Sequence, residues 1–452
     1  MPNRDADRPP LQSAMILEDS ARLSRVFGID LERHRLDDGY RPWRTARHIA
    51  RDSGIDPVDA WAAIKWRRLV VRRMLEVTQA DGTPFHLCSV PELLVALHRI
   101  DRATGGGGAA ALESESGLLA DPAHRDRLRI RTLMDEAAES SLIEGAATTR
   151  KDAVELLRSA ARPQNRGERM VVNNYVAMQE IKRRLDQPLT PEMLLDLQAI
   201  LTRDTLDNPE DVGRFRREDE PVHVADDRTN EVVYVPPPAA QLPDRLKRLC
   251  DFANASHEGK NFLHPIVKAS ILHFLIGYEH PFPDGNGRTA RAIFYWFALR
   301  NDYRIFEFIP ISERIRKGYA RYPQAFVDTE LDEGDLTYFV LYQLDIIELA
   351  LDDLSIHLAR ETAKIKHAQR LLSLAKDLNL RQRLLLEHGL RHPRTEYTVK
   401  SHMNSNGITP NTARADLDDL VRRRMMITSK RGKEVVYHIA PTLPSRLERK
   451  GL

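Results

Sequence analysis

The stretch His280-Pro-Phe-Pro-Asp-Gly-Asn-Gly-Arg-Thr-Ala-Arg291 joins two apolar segments whose periodicity predicts helices. The first segment runs from Ile266 to Tyr278, and the second continues through Ala292-Ile-Phe-Tyr-Trp-Phe297. The prolines and glycines between them predict a loop that ends at the N-terminus of the second helix. This helix-loop-helix carries the densest group of chemically useful residues in the chain.

The residues of the loop favour phosphate binding. Glycines in Gly285-Asn-Gly287 let backbone N–H groups converge where the helix dipole favours an anion. Arg288 and Arg291 are three residues apart and share one face of the helix. The Asp284 carboxylate suits Mg²⁺, and His280 could take a proton from an attacking hydroxyl. Turn chemistry alone could explain each residue, but an anion nest, two arginines, an acid and a base together predict a site.

Three other motifs are excluded. Gly285–Ala290 satisfies the GxGxxA dinucleotide pattern, but the segment before it is predicted to be a helix rather than a strand. A Walker A loop is absent, because neither Gly259-Lys260 nor Gly432-Lys433 is followed by Ser or Thr. A zinc-protease motif is also excluded, because its spacing is not found among His264, His273 and His280.

The loop resembles the signature of the Fic family, HPFx(D/E)GNGRxxR, at all nine specified positions of a twelve-residue window. The similarity covers about 130–350 and includes Val212-Gly-Arg-Phe-Arg216, His264-Pro265 and Gly334-Asp-Leu-Thr337. Most Fic proteins transfer AMP from ATP to a Ser, Thr or Tyr hydroxyl of a target protein. The resemblance therefore implies a nucleotidyltransferase that uses ATP and Mg²⁺, with self-modification as a further expectation.

The resemblance also implies a role for each residue of the loop. His280 would be the general base, and Asp284 would hold Mg²⁺. Arg291 would bind the γ-phosphate. The α- and β-phosphates would be bound by Gly285, Asn286, Gly287 and Arg288.

Two further segments receive roles from the same resemblance. Pro221–Val224 and Glu231–Val235 predict a β-hairpin, which resembles the flap that aligns the target segment as an added strand. Its expected docking residues are Thr229, Asn230, Val232, Val233 and Tyr234. Ser140-Ser-Leu-Ile-Glu-Gly145 resembles the inhibitory motif (S/T)xxxE(G/N), formed by Ser140, Glu144 and Gly145.

The inhibitory motif implies a mechanism and leaves the direction of the reaction open. Glu144 would pair with Arg291 and keep the γ-phosphate from its productive position. The same carboxylate could orient a water that removes AMP from a modified target. The residues do not separate these two activities.

The chain as a whole is predicted to be mainly α. We expect an N-terminal helical region with a Gly-rich linker over 1–117, with irregular residues at 1–38 and helices from Pro42 to Ile100. A Fic domain over 118–350 would include an inhibitory helix at about 126–145, followed by a helical connector over 351–390. Residues 391–452 show the order helix, turn, helix and hairpin, which predicts a winged helix-turn-helix.

Composition and charge indicate the expected cellular compartment and the possible binding partners. With 68 Lys+Arg against 66 Asp+Glu in 452 residues, the net charge is only +2, yet residues 421–452 carry +7. The C-terminal domain is therefore a candidate DNA-binding regulator, with protein binding or homodimer support as the alternatives. Two cysteines, Cys88 and Cys250, predict buried apolar side chains in a reducing compartment. No signal peptide or membrane segment is evident, so a cytoplasmic location without membrane contact is expected.

Overall fold

Two consecutive helices that are apolar on every side form the centre of the fold. In the computed structural model they run from Pro265 to Glu279 (α10) and from Asn286 to Arg300 (α11), and nearly all of their residues are buried. Pro265 occupies the first turn of α10, where the His264 Nδ1 atom accepts a hydrogen bond from the Ile266 N–H. The structure describes residues 8–10, 20–104, 122–220, 224–225, 232–256, 258–373, 375, 377–432 and 434–450.

The described chain is mostly helical, as predicted. In chain order the other helices are α1 Ser20–Phe27, α2 Trp43–Asp52, α3 Pro57–Val71, α4 Pro91–Thr104, α5 Pro122–Ile143, α6 Arg150–Ser159, α7 Arg166–Arg183, α8 Pro191–Thr202, α9 Leu242–Asn254, α12 Ile311–Lys317, α13 Arg321–Leu331, α14 Thr337–Ser373, α15 Leu380–Arg391, α16 Val399–Asn406, α17 Pro410–Arg422 and α18 Leu443–Lys450. The strands form three antiparallel pairs, β1 Arg72–Thr78 with β2 Pro84–Cys88, β3 Val224–Ala225 with β4 Val232–Tyr234, and β5 Met426–Arg431 with β6 Glu434–Ile439.

Local capping signals predict several helix ends well. Thr190 precedes Pro191, and its side chain accepts a hydrogen bond from the Met193 N–H at 3.2 Å. Helix α8, which begins there, packs against α7, and α7 packs against both α5 and α11. These contacts bring the C-terminal end of α5 beside the loop between α10 and α11.

The N-terminal region differs from its prediction in two ways. Helix α1 lies within 1–38, which was expected to be irregular, and the hairpin of β1 and β2 interrupts the helices expected between Pro42 and Ile100. The signal for this hairpin is the Asp81-Gly82 dipeptide, since Gly82 takes φ 88° in the turn and its N–H donates to the Gln79 carbonyl.

The described residues divide into two compact units, one reaching to Leu354 and the other starting at Ser355. In the second unit, β5 and β6 pair from Met426 with Ile439 to Arg431 with Glu434, after the helices α16 and α17. The element order predicted for this region is observed, and its assignment as a winged helix stays a prediction. The boundaries predicted near 117, 350 and 390 also stay predictions.

Within the described ranges, none of the helices combines the length and apolarity needed to cross a lipid bilayer.

Candidate active site

His280 ends helix α10 in a left-handed conformation, with φ 45° and ψ 55°. Its N–H donates to the Ile276 carbonyl, and its Nδ1 lies 3.3 Å from the Gly277 carbonyl oxygen. When Nδ1 donates this hydrogen bond, Nε2 keeps its lone pair and can accept a proton. Burial lowers the pKa of His280 below the usual value for histidine, although the Gly277 carbonyl and the nearby Glu144 act in the opposite direction.

Arg216 holds the backbone of the loop that follows His280. Its Nε donates to the His280 carbonyl at 2.8 Å, and its own N–H donates to the Pro281 carbonyl at 2.9 Å. Its Nη2 also contacts the carbonyl of Glu279 at 3.3 Å and that of Pro237. The sequence predicts no role for this arginine, because three of its four partner carbonyls lie more than sixty residues away. The stretch Val212–Arg216 was the one sign of its importance.

The side chain of Asn286 closes the loop. Its Oδ1 accepts from the Phe282 N–H at 2.9 Å, and its Nδ2 donates to the Phe282 carbonyl at 2.8 Å. Both polar ends of the amide are therefore occupied, which leaves the backbone N–H of Asn286 for an anion. Gly285 takes φ 89°, and a Cβ atom there would lie 3.0 Å from Cγ2 of Thr202. The nest therefore favours glycine at this position for both its conformation and its space.

The two arginines predicted to bind phosphate are buried at the start of α11, each with a side chain 1% exposed. Arg288 donates to the Leu201 carbonyl at 2.9 Å, and its Nη2 lies 3.3 Å from Oδ1 and 3.4 Å from Oδ2 of Asp284. Asp284 is 40% exposed, so its carboxylate reaches the open side of the loop. The structure thus brings the acid and this arginine together.

The residue that directly follows helix α5 presents a carboxylate to the second arginine. Glu144 Oε1 lies 2.9 Å from Arg291 Nη2, and Ser140 accepts from Arg291 Nε through its hydroxyl at 2.8 Å. Gly145 follows with φ 79° and ends the helix. A Cβ atom at Gly287 would lie 2.3 Å from Glu144 Oε1, so this glycine admits the close approach of the carboxylate. All three residues of the motif at 140–145 therefore lie at the site.

The hairpin predicted at 221–235 is present in its described part. Val224 pairs with Tyr234 and Ala225 with Val232, and the Tyr234 hydroxyl donates to the Tyr278 carbonyl at 2.6 Å. The hairpin is thus attached to the last turn of α10, next to His280. Two of the expected docking residues, Thr229 and Asn230, lie outside the described residues, as do the side chains of Val232 and Val233.

Residues 188–298 match the model of the family described as Fic/DOC family. This range contains α8, the hairpin of β3 and β4, and the whole loop between α10 and α11. The chain therefore contains a Fic domain, as its signature indicates.

Curated proteins named protein adenylyltransferase Fic are similar in sequence to part of this chain. Those from Drosophila virilis and Drosophila melanogaster are each 29% identical over 136 residues, which are 29% of this chain and 26% of theirs. The chain thus spans about a quarter of the length of these relatives. Among solved structures, a Fic family protein from Desulfovibrio desulfuricans covers 78% of this chain and 97% of its own, with 20% identity and a TM-score of 0.49. Fic-1 from C. elegans covers 76% and 98%, with 20% identity and a TM-score of 0.47.

Proposed function

We propose that this chain is a protein adenylyltransferase that transfers AMP from ATP to a hydroxyl side chain of a target protein. The observation that carries the proposal is one loop in which a base and an anion site meet. His280 stands at the end of α10, and the N-terminus of α11 with two buried arginines follows within twelve residues. The name of the curated relatives supports the same reaction.

The chain's own residues supply a base and charge stabilisation. His280 Nε2 takes the proton of the target hydroxyl as the hydroxyl oxygen attacks the α-phosphorus and diphosphate leaves. The backbone N–H groups of Asn286 and Gly287 would face the phosphates at the helix N-terminus, whereas the Gly285 N–H donates to Asp284 Oδ1. Arg288 binds the α- and β-phosphates, and Arg291 binds the γ-phosphate once it is released from Glu144.

The donor set at the loop fits Mg²⁺. Asp284 offers a hard carboxylate oxygen, and its Oδ2 has only a long contact to Arg288 at 3.4 Å. The carboxylate is 40% exposed, so a hydrated ion can reach it. When bound, Mg²⁺ would neutralise phosphate charge as diphosphate leaves.

The hairpin of β3 and β4 is the proposed docking site for the target. An extended target segment that adds to the hairpin as a strand would place its hydroxyl near His280, because Tyr234 attaches β4 to the last turn of α10. Any exposed extended segment of a second copy of the chain could dock in the same way, so self-modification is part of the proposal. A cytoplasmic location and a homodimer stay predictions.

Glu144 is the proposed inhibitor of this site. Its carboxylate occupies Arg291, and its side chain is only 25% exposed, so water screens the pair weakly. A γ-phosphate needs the same arginine and carries the same sign of charge as Glu144. ATP would therefore bind in an unproductive position until the carboxylate withdraws.

The proposal is tested by the position of the label in ATP. ATP labelled at the α-phosphate is expected to mark protein, whereas ATP labelled at the γ-phosphate is expected to mark none. Label from the γ-phosphate alone would instead indicate phosphate transfer, as in the kinase-like Doc branch of the family. The assay is run with the Glu144→Gly variant, so that inhibition does not conceal the reaction.

A second candidate function, DNA binding, is favoured by the environment of three aspartates in α17. Asp416 accepts hydrogen bonds from Arg381 at 2.7 Å and Asn379 at 2.8 Å. Tyr437 donates to Asp418 at 3.0 Å, and Arg423 donates to Asp419 at 2.8 Å. These acids are thus engaged within their own unit, while Arg414 on the same helix is exposed. The repulsion of phosphates that three free aspartates would cause is therefore reduced.

Arg414→Ala is expected to weaken DNA binding by about 1 kcal/mol or more, because it removes an exposed cation from the helix that would face the groove. The measurement is a mobility shift at several salt concentrations, made with the His280→Ala protein as the parent. Arg158→Ala, in the first unit, is the matched control, since this arginine is also exposed on a helix. Equal loss in both variants, or no shift at low salt, would contradict a DNA-binding role.

A further inference from the structure

Three side chains of metal-ligand type meet in a buried cluster that the proposed reaction does not use. His86 and Cys88 are two residues apart on β2 and therefore point to the same face of the strand. Asp335 joins them, since its backbone forms a parallel bridge with His86 just before α14 begins. The ligand atoms of the three residues all lie within 4.8 Å of one another. Within the described chain, this is the one such group.

The cluster is removed from solvent, and its carboxylate has no direct ion pair with a lysine or arginine among the described residues. His86 is 2% exposed, and Cys88 and Asp335 are 0% exposed. Lys65 and Arg68 lie close by, but their carboxylate partners are Asp332 and Glu333. Among the described residues, no lysine or arginine forms an ion pair with Asp335. Buried carboxylates are normally paired with a cation or bound to a metal ion.

The histidine is placed as a ligand rather than as a hydrogen-bonding partner. The structure gives its imidazole no hydrogen bond to any described residue, and its Nε2 lies 3.8 Å from Asp335 Oδ2. This distance is too long for a hydrogen bond. A nitrogen and an oxygen ligand of one tetrahedral zinc ion lie roughly 3.3 to 3.5 Å apart when the bonds are about 2.0 to 2.2 Å long, so a small side-chain rotation would bring this pair to the separation that zinc requires.

Neighbouring residues orient the carboxylate and the strand. Tyr40 donates a hydrogen bond to Asp335 Oδ2, and the Thr337 N–H donates to Oδ1 at 3.0 Å. The Cys88 N–H donates to the Thr337 hydroxyl at 2.8 Å. Such outer hydrogen bonds are the usual support of metal ligands in proteins.

We propose that His86, Cys88 and Asp335 bind a Zn²⁺ ion. A nitrogen, a sulfur and an oxygen donor form a set that zinc accepts readily. Binding replaces the thiol proton of Cys88, which is released to solvent, and small side-chain rotations draw the three ligand atoms together. This assigns Cys88 a role different from the inert, buried cysteine that the sequence predicted.

The ion would fix the N-terminal hairpin against the segment that leads into α14. The turn of that hairpin reaches the active site, since Ala80 N–H donates to the Tyr278 hydroxyl at 2.9 Å. Arg245 donates to the Thr78 carbonyl at 2.7 Å and to Glu279 at 2.6 Å. Because Glu279 immediately precedes His280, loss of zinc is expected to loosen the end of α10 as well as the hairpin.

The test measures metal content, which does not depend on adenylyl transfer. The full chain, produced with zinc in the medium, is expected to retain about one zinc ion per chain. The zinc content is measured by inductively coupled plasma mass spectrometry. Cys88→Ser should lose the ion, whereas Cys250→Ser, which changes the other buried cysteine, should keep it. Tyr40→Phe should bind zinc about 10- to 100-fold more weakly, because the Asp335 carboxylate loses its orienting partner.

Substitution of zinc by cobalt provides a second, spectroscopic measurement of metal binding if a variant folds poorly. After zinc is removed with a chelator, Co²⁺ should give the wild-type chain and the Cys250→Ser variant a thiolate-to-cobalt absorption band in the near ultraviolet. His86→Gln should weaken this band and Cys88→Ser should abolish it. A wild-type chain that retains no zinc and shows no thiolate band with Co²⁺ would overturn the proposal. Zinc content unchanged in a folded Cys88→Ser variant would overturn it as well.

Discussion

Glu144→Gly is expected to raise the labelling of protein from ATP labelled at the α-phosphate by roughly 10- to 100-fold. The variant removes the carboxylate that binds Arg291 Nη2 at 2.9 Å. A hydrogen bond between charged groups contributes about 1.5 to 3 kcal/mol, and each 1.4 kcal/mol is a factor of ten in an equilibrium. Freed from Glu144, Arg291 can bind the γ-phosphate and orient ATP for transfer.

A double-mutant cycle tests whether the effect passes through Arg291. In an Arg291→Ala background, Glu144→Gly should give little or no gain, because the carboxylate no longer has this partner. Glu144→Gln keeps the size of the side chain and an oxygen acceptor but loses the charge, so its labelling should fall between the wild type and the glycine variant. Unchanged labelling in Glu144→Gly, or an equal gain without Arg291, would contradict the inhibitory role.

The parts of the site that the sequence predicts are those encoded within a few residues. The turn at Gly285-Asn-Gly287 and the spacing of Arg288 and Arg291 depend on neighbours in the chain, and the structure places them at one helix start. The contact between Glu144 and Arg291 joins residues 147 positions apart. The sequence suggests this contact through a resemblance to a known motif, because spacing alone cannot reach so far.

The parts that the sequence missed depend on long-range packing or on competition for hydrogen bonds. Arg216 donates to the backbone carbonyl oxygen of a residue 64 positions away. Because every residue has such a carbonyl, the sequence does not show which one an arginine will bind. The side-chain amide of Asn286 is hydrogen-bonded to the backbone of Phe282, a contact that the sequence did not predict, and the phosphate-binding role of Asn286 stays a prediction. The strands β1 and β2 were overlooked because the strong helical pattern before Arg72 concealed a short hairpin with an Asp-Gly turn.

The pH dependence of labelling offers a separate check on His280. Burial lowers the pKa of this histidine, so its neutral, proton-accepting form persists below the pH at which an ordinary histidine becomes charged, about 6.5. The rate is therefore expected to stay high through this pH and to fall only as the pH drops through the lowered pKa. A rate that already falls well above 6.5 would contradict the assignment of His280 as the base. The measurement is the initial rate of labelling in the Glu144→Gly variant between acidic and neutral pH.

His280→Ala, made in the Glu144→Gly background, is expected to lower the rate of labelling by about 10²- to 10⁴-fold, the usual contribution of a general base. ATP affinity should change little, because the anion site is formed by the start of α11 and its arginines. Calorimetric titration with ATP separates the two effects. His98→Ala is the matched control, since His98 is exposed on α4, and it should leave labelling unchanged. If His280→Ala lost ATP binding and labelling in equal measure, the histidine would serve to position the loop rather than to accept the proton.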